Sequence, residues 1–289
     1  SEVSEYGGHL TVHSEDQGIL DEFQSEMDGD WDAPISHSLA RPSIAELHAI
    51  QSSIGIVEQT GGHLHIAHVT TREGVLEIEK ARLRGNMVTT EVCPHHLVFF
   101  RDDMNRLGPK SKLNPPLRAK EDRAALWSGL LRGSVDIVVS DHAPCPIEEK
   151  EAGSEDIREA WSGVDGTQMI LRVLLSEGIN KGRLSFSRLL RVCSRNPARI
   201  FGLYPKKGVL RVGADADFVL IDQTREEKIS EDLMFSKCGW TLYEGMTMKG
   251  VPVMTFSKGV QVFKDDQLTV EPGHGRFQAM GSGNRPNGE

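Results

Sequence analysis

The sequence lacks long hydrophobic runs, because no window in it approaches the roughly 18 consecutive apolar residues that a membrane-spanning helix needs. Its first residues, Ser1-Glu2-Val3-Ser4-Glu5, are acidic and do not have the basic-then-apolar pattern of a signal peptide. Cysteine is scarce as well, with four among 289 residues and no C-x-x-C pair. This scarcity excludes a disulfide scaffold and a cysteine-based zinc knuckle. We therefore expect a cytoplasmic protein.

Basic residues are outnumbered. The chain has 33 Lys and Arg against 42 Asp and Glu, which gives a formal net charge of −9. Such a surplus of negative charge argues against nucleic acid or an anionic membrane as the main partner. The apolar fraction of 38% is enough for a buried core, and the length allows one large α/β domain or two smaller ones. We therefore expect no nucleic-acid partner and no membrane partner.

The first part of the chain alternates between short apolar segments typical of strands and longer segments with helical spacing. The predicted strands span residues 10–12, 64–69, 88–92 and 135–139. Helices are predicted to begin near residues 43 and 70 and to span residues 120–132 and 167–177. Short strands that alternate with helices are typical of a parallel sheet covered by helices.

Two sequence patterns predict where the first long helices begin. Ser43 and Glu46 form an S-x-x-E pattern, and Thr70 and Glu73 form a T-x-x-E pattern. Both are typical of a capping box, in which the two side chains bind backbone N–H groups at the start of a helix. Gly61, which follows the first helical segment, is predicted to end it.

Candidate chemical residues follow the predicted strands, at the edge where barrel and open-sheet enzymes have their active sites. A doubly wound fold shares this rule, but no predicted strand is followed by a glycine-rich phosphate loop, since Gly61-Gly62 precedes its strand. We therefore predict the α/β class and half of a (β/α)8 TIM-type barrel, with four strand–helix units.

The pattern changes after residue 183. Short helices are predicted over residues 185–193 and 197–201, and short strands over residues 209–212, 216–221, 253–256 and 260–263. We interpret residues 1–202 as a barrel domain and residues 203–271 as part of a small β-sandwich. Residues 272–289 are rich in Gly, Asn and Pro, so we expect a disordered tail there.

His13, His68 and Asp141 each follow a different predicted strand, so a barrel would bring them to one rim. A single histidine is more often a hydrogen-bonded structural residue, and we interpret the H-x-H pair of His63 and His65 in that way, because it lies before and within its strand. His13, His68 and Asp141 instead occupy equivalent positions after different strands, which favours a shared chemical role. Imidazole and carboxylate are common ligands of zinc and related ions, so the sequence predicts a divalent metal site.

Six motifs occur in order along the chain with suitable gaps. They are His68-Val69-Thr70-Thr71, Glu91-Val92-Cys93-Pro94-His95-His96-Leu97, Lys112-Leu113-Asn114-Pro115-Pro116-Leu117-Arg118, Ser140-Asp141-His142-Ala143-Pro144, Asn196-Pro197-Ala198-Arg199-Ile200-Phe201-Gly202 and Gly213-Ala214-Asp215-Ala216-Asp217. With these motifs the chain resembles the cyclic amidohydrolases of the dihydroorotase, allantoinase and dihydropyrimidinase group. The resemblance covers about residues 8–277.

The resemblance implies a metal-dependent hydrolase barrel with two divalent ions, expected to be zinc, and a cyclic amide as the small-molecule substrate. In this family the ligands are an H-x-H pair, a bridging carboxylated lysine or aspartate, two later histidines and a final aspartate. His13 and His68 match the later histidines, and Asp141 matches the aspartate. The H-x-H pair and the bridging residue have no match, so we expect the C-terminal part of a longer enzyme. Because half a barrel leaves open sheet edges, we also expect a homo-oligomer.

The resemblance also implies roles for side chains around the metal. Asp141 would be the catalytic residue that accepts a proton from the attacking water and passes it to the leaving nitrogen. Asn114 and Cys145 would bind the substrate, while His95 and His96 would order the rim.

Three functions stay open at this point. The motifs around His68 and Asn114 favour dihydroorotase, which we take as the leading prediction. Dihydroorotases usually have a histidine where Cys145 stands, and the cysteine favours allantoinase instead. A non-catalytic scaffold is the third alternative, because the other half of the family's metal ligands has no match in the chain.

Overall fold

The computed structural model describes residues 2–5, 7–27, 29 and 31–279. Its contacts divide the chain into two compact units, Ser1–Ile170 with Ser230–Glu244 and Leu171–Ile229 with Gly245–Glu289. The domain boundary at residue 202 stays a prediction, and residues 280–289 of the predicted disordered tail lie outside the described residues. No helix in the described part of the chain is both long and apolar enough to cross a membrane.

The first unit contains a parallel sheet in which β1 (His9–Val12), β2 (His63–Ile66), β3 (Val88–Val92) and β4 (Ile137–Val138) pair in that order. Its helices are α1 (Glu2–Glu5), α2 (Gln17–Glu26), α3 (Ile35–Leu39), α4 (Ser43–Thr60), α5 (Arg72–Leu83), α6 (Pro94–Val98), α7 (Met104–Leu107), α8 (Lys120–Arg132) and α9 (Ile147–Glu151). The α/β class and the barrel-type strand–helix units are confirmed. Strands β2 and β4 are shorter than the sequence predicts.

The core of this unit forms because helix and strand present apolar residues to each other. Helix α4 buries Ile50, Ile54 and Val57, whose spacing places them on one face. Strand β2 buries Leu64 and Ile66, and α4 packs against both β2 and α5. Since parallel strands end at the same edge of a sheet, this packing fixes where the loops after β1, β2 and β4 begin.

The two predicted capping boxes are wrong in their details. Helix α4 begins at Ser43 itself, its cap residue Pro42 makes no side-chain bond, and the Glu46 carboxylate is used elsewhere. Helix α5 is capped one residue later than predicted, because the Thr71 hydroxyl accepts a hydrogen bond from the backbone N–H of Gly74 at 3.1 Å. Local patterns located both helices, but tertiary contacts decided which side chains cap them.

The second unit contains an antiparallel sheet of β5 (Phe218–Lys228), β6 (Thr247–Ser257), β7 (Val260–Lys264) and β8 (Gln267–Leu268), in that order. Helices α10 (Met169–Val173), α11 (Phe186–Leu190) and α12 (Asn196–Ile200) precede this sheet in the sequence. Wider π-helical turns over Leu174–Ile179 and Arg191–Arg195 follow α10 and α11, where the sequence predicts regular helix.

The strand predicted over residues 209–212 is wrong. Those residues lie in turns, and the side chains of Leu210 and Val212 are 71% and 103% exposed. A strand needs hydrogen-bonding partners and a surface that its apolar side chains cover. The neighbouring prediction over residues 216–221 is confirmed in part by β5, which begins at Phe218 and runs further, to Lys228.

Candidate metal centre and substrate pocket

Loops at the carboxyl edge of the parallel sheet enclose a cavity of about 220 Å³. His13 directly follows β1, His68 lies two residues after β2, and Asp141 lies three residues after β4. The structure therefore brings the three predicted metal ligands to one cavity. The lining residues are His13, His68, His95, Leu113, Asn114, Asp141, Ala143, Ser162, Gly163 and Val164.

The imidazoles of His13 and His68 meet within this cavity. The His13 Nδ1 and His68 Nε2 atoms are 3.1 Å apart, and the rings are edge-on at 73°. Two nitrogen ligands of a tetrahedral zinc ion at about 2.0–2.1 Å would be roughly 3.3 Å apart. Burial lowers the pKa of His68, although the nearby Asp141 carboxylate opposes this shift. A neutral ring keeps a lone pair, so the pair fits a divalent ion.

Glu15 determines how His13 faces the cavity. The His13 Nε2–H donates to Glu15 Oε2 at 2.9 Å, which leaves the Nδ1 lone pair on the side of His68. Burial alone would raise the pKa of Glu15, but hydrogen bonds from His13 and Arg41 and the charge of Arg118 outweigh it and lower the pKa to about 2. A carboxylate behind a ligating histidine is a common way to orient the ring and raise its basicity.

One buried guanidinium, that of Arg118, connects the loop of His13 to the loop of His68. Its Nη2 lies 4.0 Å from Glu15 and 3.7 Å from Glu46, and its Nε donates to the Thr70 hydroxyl at 3.0 Å. Glu46 accepts from the backbone N–H groups of Thr70 and Thr71 at 3.0 and 2.9 Å. Hydrogen bonds to the Glu46 carboxylate therefore hold the loop of His68, whereas the attraction between Arg118 and Glu15 at 4.0 Å is electrostatic only.

His68 and Asp141 share an uncommon backbone conformation. Their φ angles are +32° and +44°, in the left-handed region that non-glycine residues seldom adopt. Each such residue costs about 1–3 kcal/mol and persists where the surrounding structure imposes it. Two of the three predicted metal ligands therefore have a strained backbone.

The structure places the two predicted substrate-binding residues differently. Asn114 lines the cavity, and its Oδ1 accepts from His37 Nε2 at 2.9 Å, which leaves the amide NH2 group as a donor. Burial lowers the pKa of His37 to about 4, so this ring is neutral. Cys145 is buried but is absent from the described lining, and its carbonyl accepts from Trp240 Nε1 at 2.9 Å.

The far wall of the cavity is the segment from Ser162 to Val164. The carbonyl of Lys112 accepts from the Gly163 N–H at 3.1 Å and from the Lys150 ammonium at 2.8 Å. The same ammonium donates to the carbonyl of Trp161 at 2.8 Å. Burial lowers the pKa of Lys150 to about 7. This buried lysine fixes the wall by binding main-chain oxygens on both sides of it.

Gly163 is required where the wall meets the loop after β4. Its φ is +142°, and a Cβ there would lie 2.5 Å from the Ala143 carbonyl oxygen. We expect Gly163→Ala to lower the free energy of unfolding by more than about 1 kcal/mol, because backbone atoms must move apart. Gly55→Ala, at an open position inside α4, is the matched control and should be neutral or stabilising. Urea unfolding of both variants measures this, and equal stabilities would contradict it.

Three further buried histidines differ in whether their ring nitrogens have hydrogen-bond partners. His65 bonds Thr89 Oγ1 and Glu91 Oε2 at 2.7 and 2.9 Å, which agrees with a structural role. His96 Nε2 donates to the carbonyl of Pro115 at 3.1 Å. His95 is 1% exposed, and neither of its ring nitrogens has a partner among the described residues. Burial lowers the pKa of His95 to about 3.

Comparison with known proteins identifies the family of this chain. Residues 5–262 match the model of the amidohydrolase family, so the chain belongs to this family. A dihydroorotase of Methanosarcina acetivorans is 37% identical, over 99% of this chain and 61% of that protein. An allantoinase of Rubrobacter xylanophilus is 37% identical, over 96% of this chain and 60% of that protein. The predicted resemblance to this group is confirmed.

A solved structure has the same fold. The L-hydantoinase (dihydropyrimidinase) from Arthrobacter aurescens superimposes with a TM-score of 0.91 at 34% identity, over 93% of this chain and 60% of that one. The chain thus spans about 60% of the length of the relatives that it matches.

Proposed function

We propose that this chain takes part in the metal-dependent hydrolysis of a C–N bond in a cyclic amide. The observation that carries the proposal is the meeting of His13 Nδ1 and His68 Nε2 at 3.1 Å, in a cavity that Asp141 also lines. Relatives named dihydroorotase, allantoinase and L-hydantoinase support the same chemical class.

His13, His68 and Asp141 are the residues that would hold the metal in this proposal, with two zinc ions expected in the whole protein. Imidazole nitrogens and carboxylate oxygens are common ligands of zinc. A divalent ion at this place supplies a water that is nucleophilic near neutral pH and polarises the carbonyl under attack.

The side chains of the chain would then move the proton and orient the ring. The Asp141 carboxylate takes the proton of the attacking water on one of its oxygens and releases it to the ring nitrogen as the C–N bond breaks. Asn114 orients the ring through its NH2 group, which the bond from His37 leaves as a donor. Glu15 accepts the hydrogen bond of His13 Nε2, which leaves the Nδ1 lone pair of His13 on the side of His68.

The first candidate ring is dihydroorotate. The motifs around His68 and Asn114 favour it, and one of the relatives at 37% identity is a dihydroorotase. The reaction would interconvert dihydroorotate and N-carbamoyl-aspartate, a step of pyrimidine biosynthesis.

The second candidate is a neutral ring such as allantoin, and the cavity lining supports it. None of the described lining residues is lysine or arginine, and a ring carboxylate requires a strong donor. Cys145, where a histidine would stand in the dihydroorotase pattern, lies outside the described lining and has only a weak thiol donor. In both cases the hydrolysis itself would be the same.

Cys145→His tests the choice of ring. In the intact, zinc-loaded protein we expect the variant to raise kcat/KM for dihydroorotate and not for allantoin, because a charge-assisted hydrogen bond contributes about 1.5–3 kcal/mol. Both rings should be assayed with wild type and variant. Wild-type turnover of allantoin alone would establish the second candidate. No turnover of either ring with zinc bound would instead favour the non-catalytic scaffold.

A further inference from the structure

We propose that His95 binds the substrate ring directly, through a hydrogen bond from its imidazole to the polar edge of the cyclic amide. The inference rests on the proposed function and adds a residue to its binding site. The family resemblance gives His95 no such role, and the sequence predicts only that it orders the rim.

The position of His95 places it against the reacting groups. It is the second residue of α6, whose cap residue Cys93 directly follows β3. Its side chain is 1% exposed yet lines the same cavity as His13, His68 and Asp141. The loop after β3 therefore contributes a side chain to this cavity, as the loops after β1, β2 and β4 do.

His95 differs from the other buried histidines in its hydrogen bonding. Within the described residues, His37, His65 and His96 each bind at least one backbone or side-chain partner, whereas both ring nitrogens of His95 have none. Buried polar atoms in native proteins nearly always have partners. A buried ring with two unsatisfied nitrogens beside a cavity is therefore a site where a ligand completes the hydrogen bonding.

A cyclic amide has the groups that this ring needs. A neutral imidazole presents one N–H donor and one lone pair. The ring amide presents a carbonyl acceptor and an N–H donor, so either imidazole nitrogen finds a complementary atom. Asn114 supplies a second donor in the same cavity.

A metal bound by Cys93, His95 and His96 is the competing interpretation. Their ligand atoms lie within 4.8 Å of one another. The Nε2 of His96 donates a hydrogen bond to the carbonyl of Pro115, so this nitrogen is engaged by the protein. The hydrogen bond of His96 to Pro115 and the position of His95 in the cavity lining favour the substrate.

His95→Phe separates a binding role from a structural one. Phenylalanine keeps a flat ring but removes both nitrogens, and replacing an unsatisfied buried group by an apolar one of similar shape is neutral or stabilising. In the intact, zinc-loaded protein we expect KM for the hydrolysed ring to rise about tenfold, while Tm without ligand stays equal or rises. His95→Gln, which retains a donor and an acceptor, should recover part of the affinity. His65→Gln, at a buried histidine that is outside the described lining, is the matched control and should leave KM unchanged.

Several results would overturn the inference. One is a KM of His95→Phe equal to that of wild type, and another is a loss of Tm without any change in KM, which would indicate a purely structural ring. Loss of zinc from His95→Phe, measured by elemental analysis, would assign the ring to a metal instead. If wild type turns over neither ring, the shift of Tm by added allantoin or dihydroorotate replaces KM as the readout. A shift that His95→Phe abolishes supports the inference although the proposed hydrolysis fails, and no shift in wild type overturns both.

Discussion

Asp141→Asn in the intact, zinc-loaded protein is expected to lower kcat by about 10²–10⁴-fold, the usual contribution of general acid–base catalysis. The amide has nearly the shape of the carboxylate, and asparagine tolerates the left-handed φ of +44° that this position adopts. The fold should therefore persist, while the group that takes a proton from the attacking water is lost. Steady-state kinetics together with elemental analysis would measure both effects.

The control for this experiment is Asp156→Asn. Asp156 is a carboxylate outside the described cavity lining, and it pairs with Arg158 on the surface. We expect its removal to leave kcat unchanged. Near-wild-type turnover of Asp141→Asn with zinc still bound would refute the assignment of Asp141 as the proton carrier.

His68→Ala is expected to remove at least one zinc ion per chain from the intact protein. The substitution eliminates one of the two nitrogens that lie 3.1 Å apart and leaves a partial site.

Glu15→Gln should weaken zinc binding less than His68→Ala does, since it keeps a hydrogen-bond acceptor for His13 but loses the negative charge behind it. Removing a partner of a ligating histidine typically weakens metal binding about 10–100-fold. Zinc titration of the apo protein would rank the variants.

His63→Ala is the matched control for the metal experiment. His63 is a half-buried histidine at the start of β2, outside the cavity lining, and its ring lies tilted against that of His9, with 4.9 Å between the ring centroids. It should bind zinc as wild type does. A full zinc content in His68→Ala would show that other residues bind the metal.

The meeting of His13, His68 and Asp141 was predictable because it depends on topology. Once parallel strands alternate with helices, residues just after the strands must share one edge of the sheet. The sequence could not show that Glu46 binds Thr70 and Thr71, because an S-x-x-E pattern has a sufficient local explanation. The alternative partner is 24 residues away in the sequence and is visible only in the folded chain.

Glu15 and Arg118 were missed for a related reason. Glu15 lies two residues after the predicted ligand His13, and Arg118 is the last residue of the Asn114 motif. Charged residues are normally exposed, so nothing local marks these two as buried. A carboxylate close to a predicted ligand was the available signal, since ligating histidines usually have such a partner. In the second unit, the strand predicted over residues 209–212 was wrong because the described sheet of β5 to β8 does not pair with this segment, which leaves Leu210 and Val212 exposed.

The left-handed backbone of His68 and Asp141 sets stability against function at these two positions. Glycine adopts the same φ without steric cost, so an exchange for glycine would relieve the backbone strain at either position. The same exchange would remove the imidazole or the carboxylate from the cavity, so the strain cannot be relieved in this way without losing the predicted ligands. Any effort to make this protein more robust has to hold both residues constant and seek its improvements elsewhere in the chain.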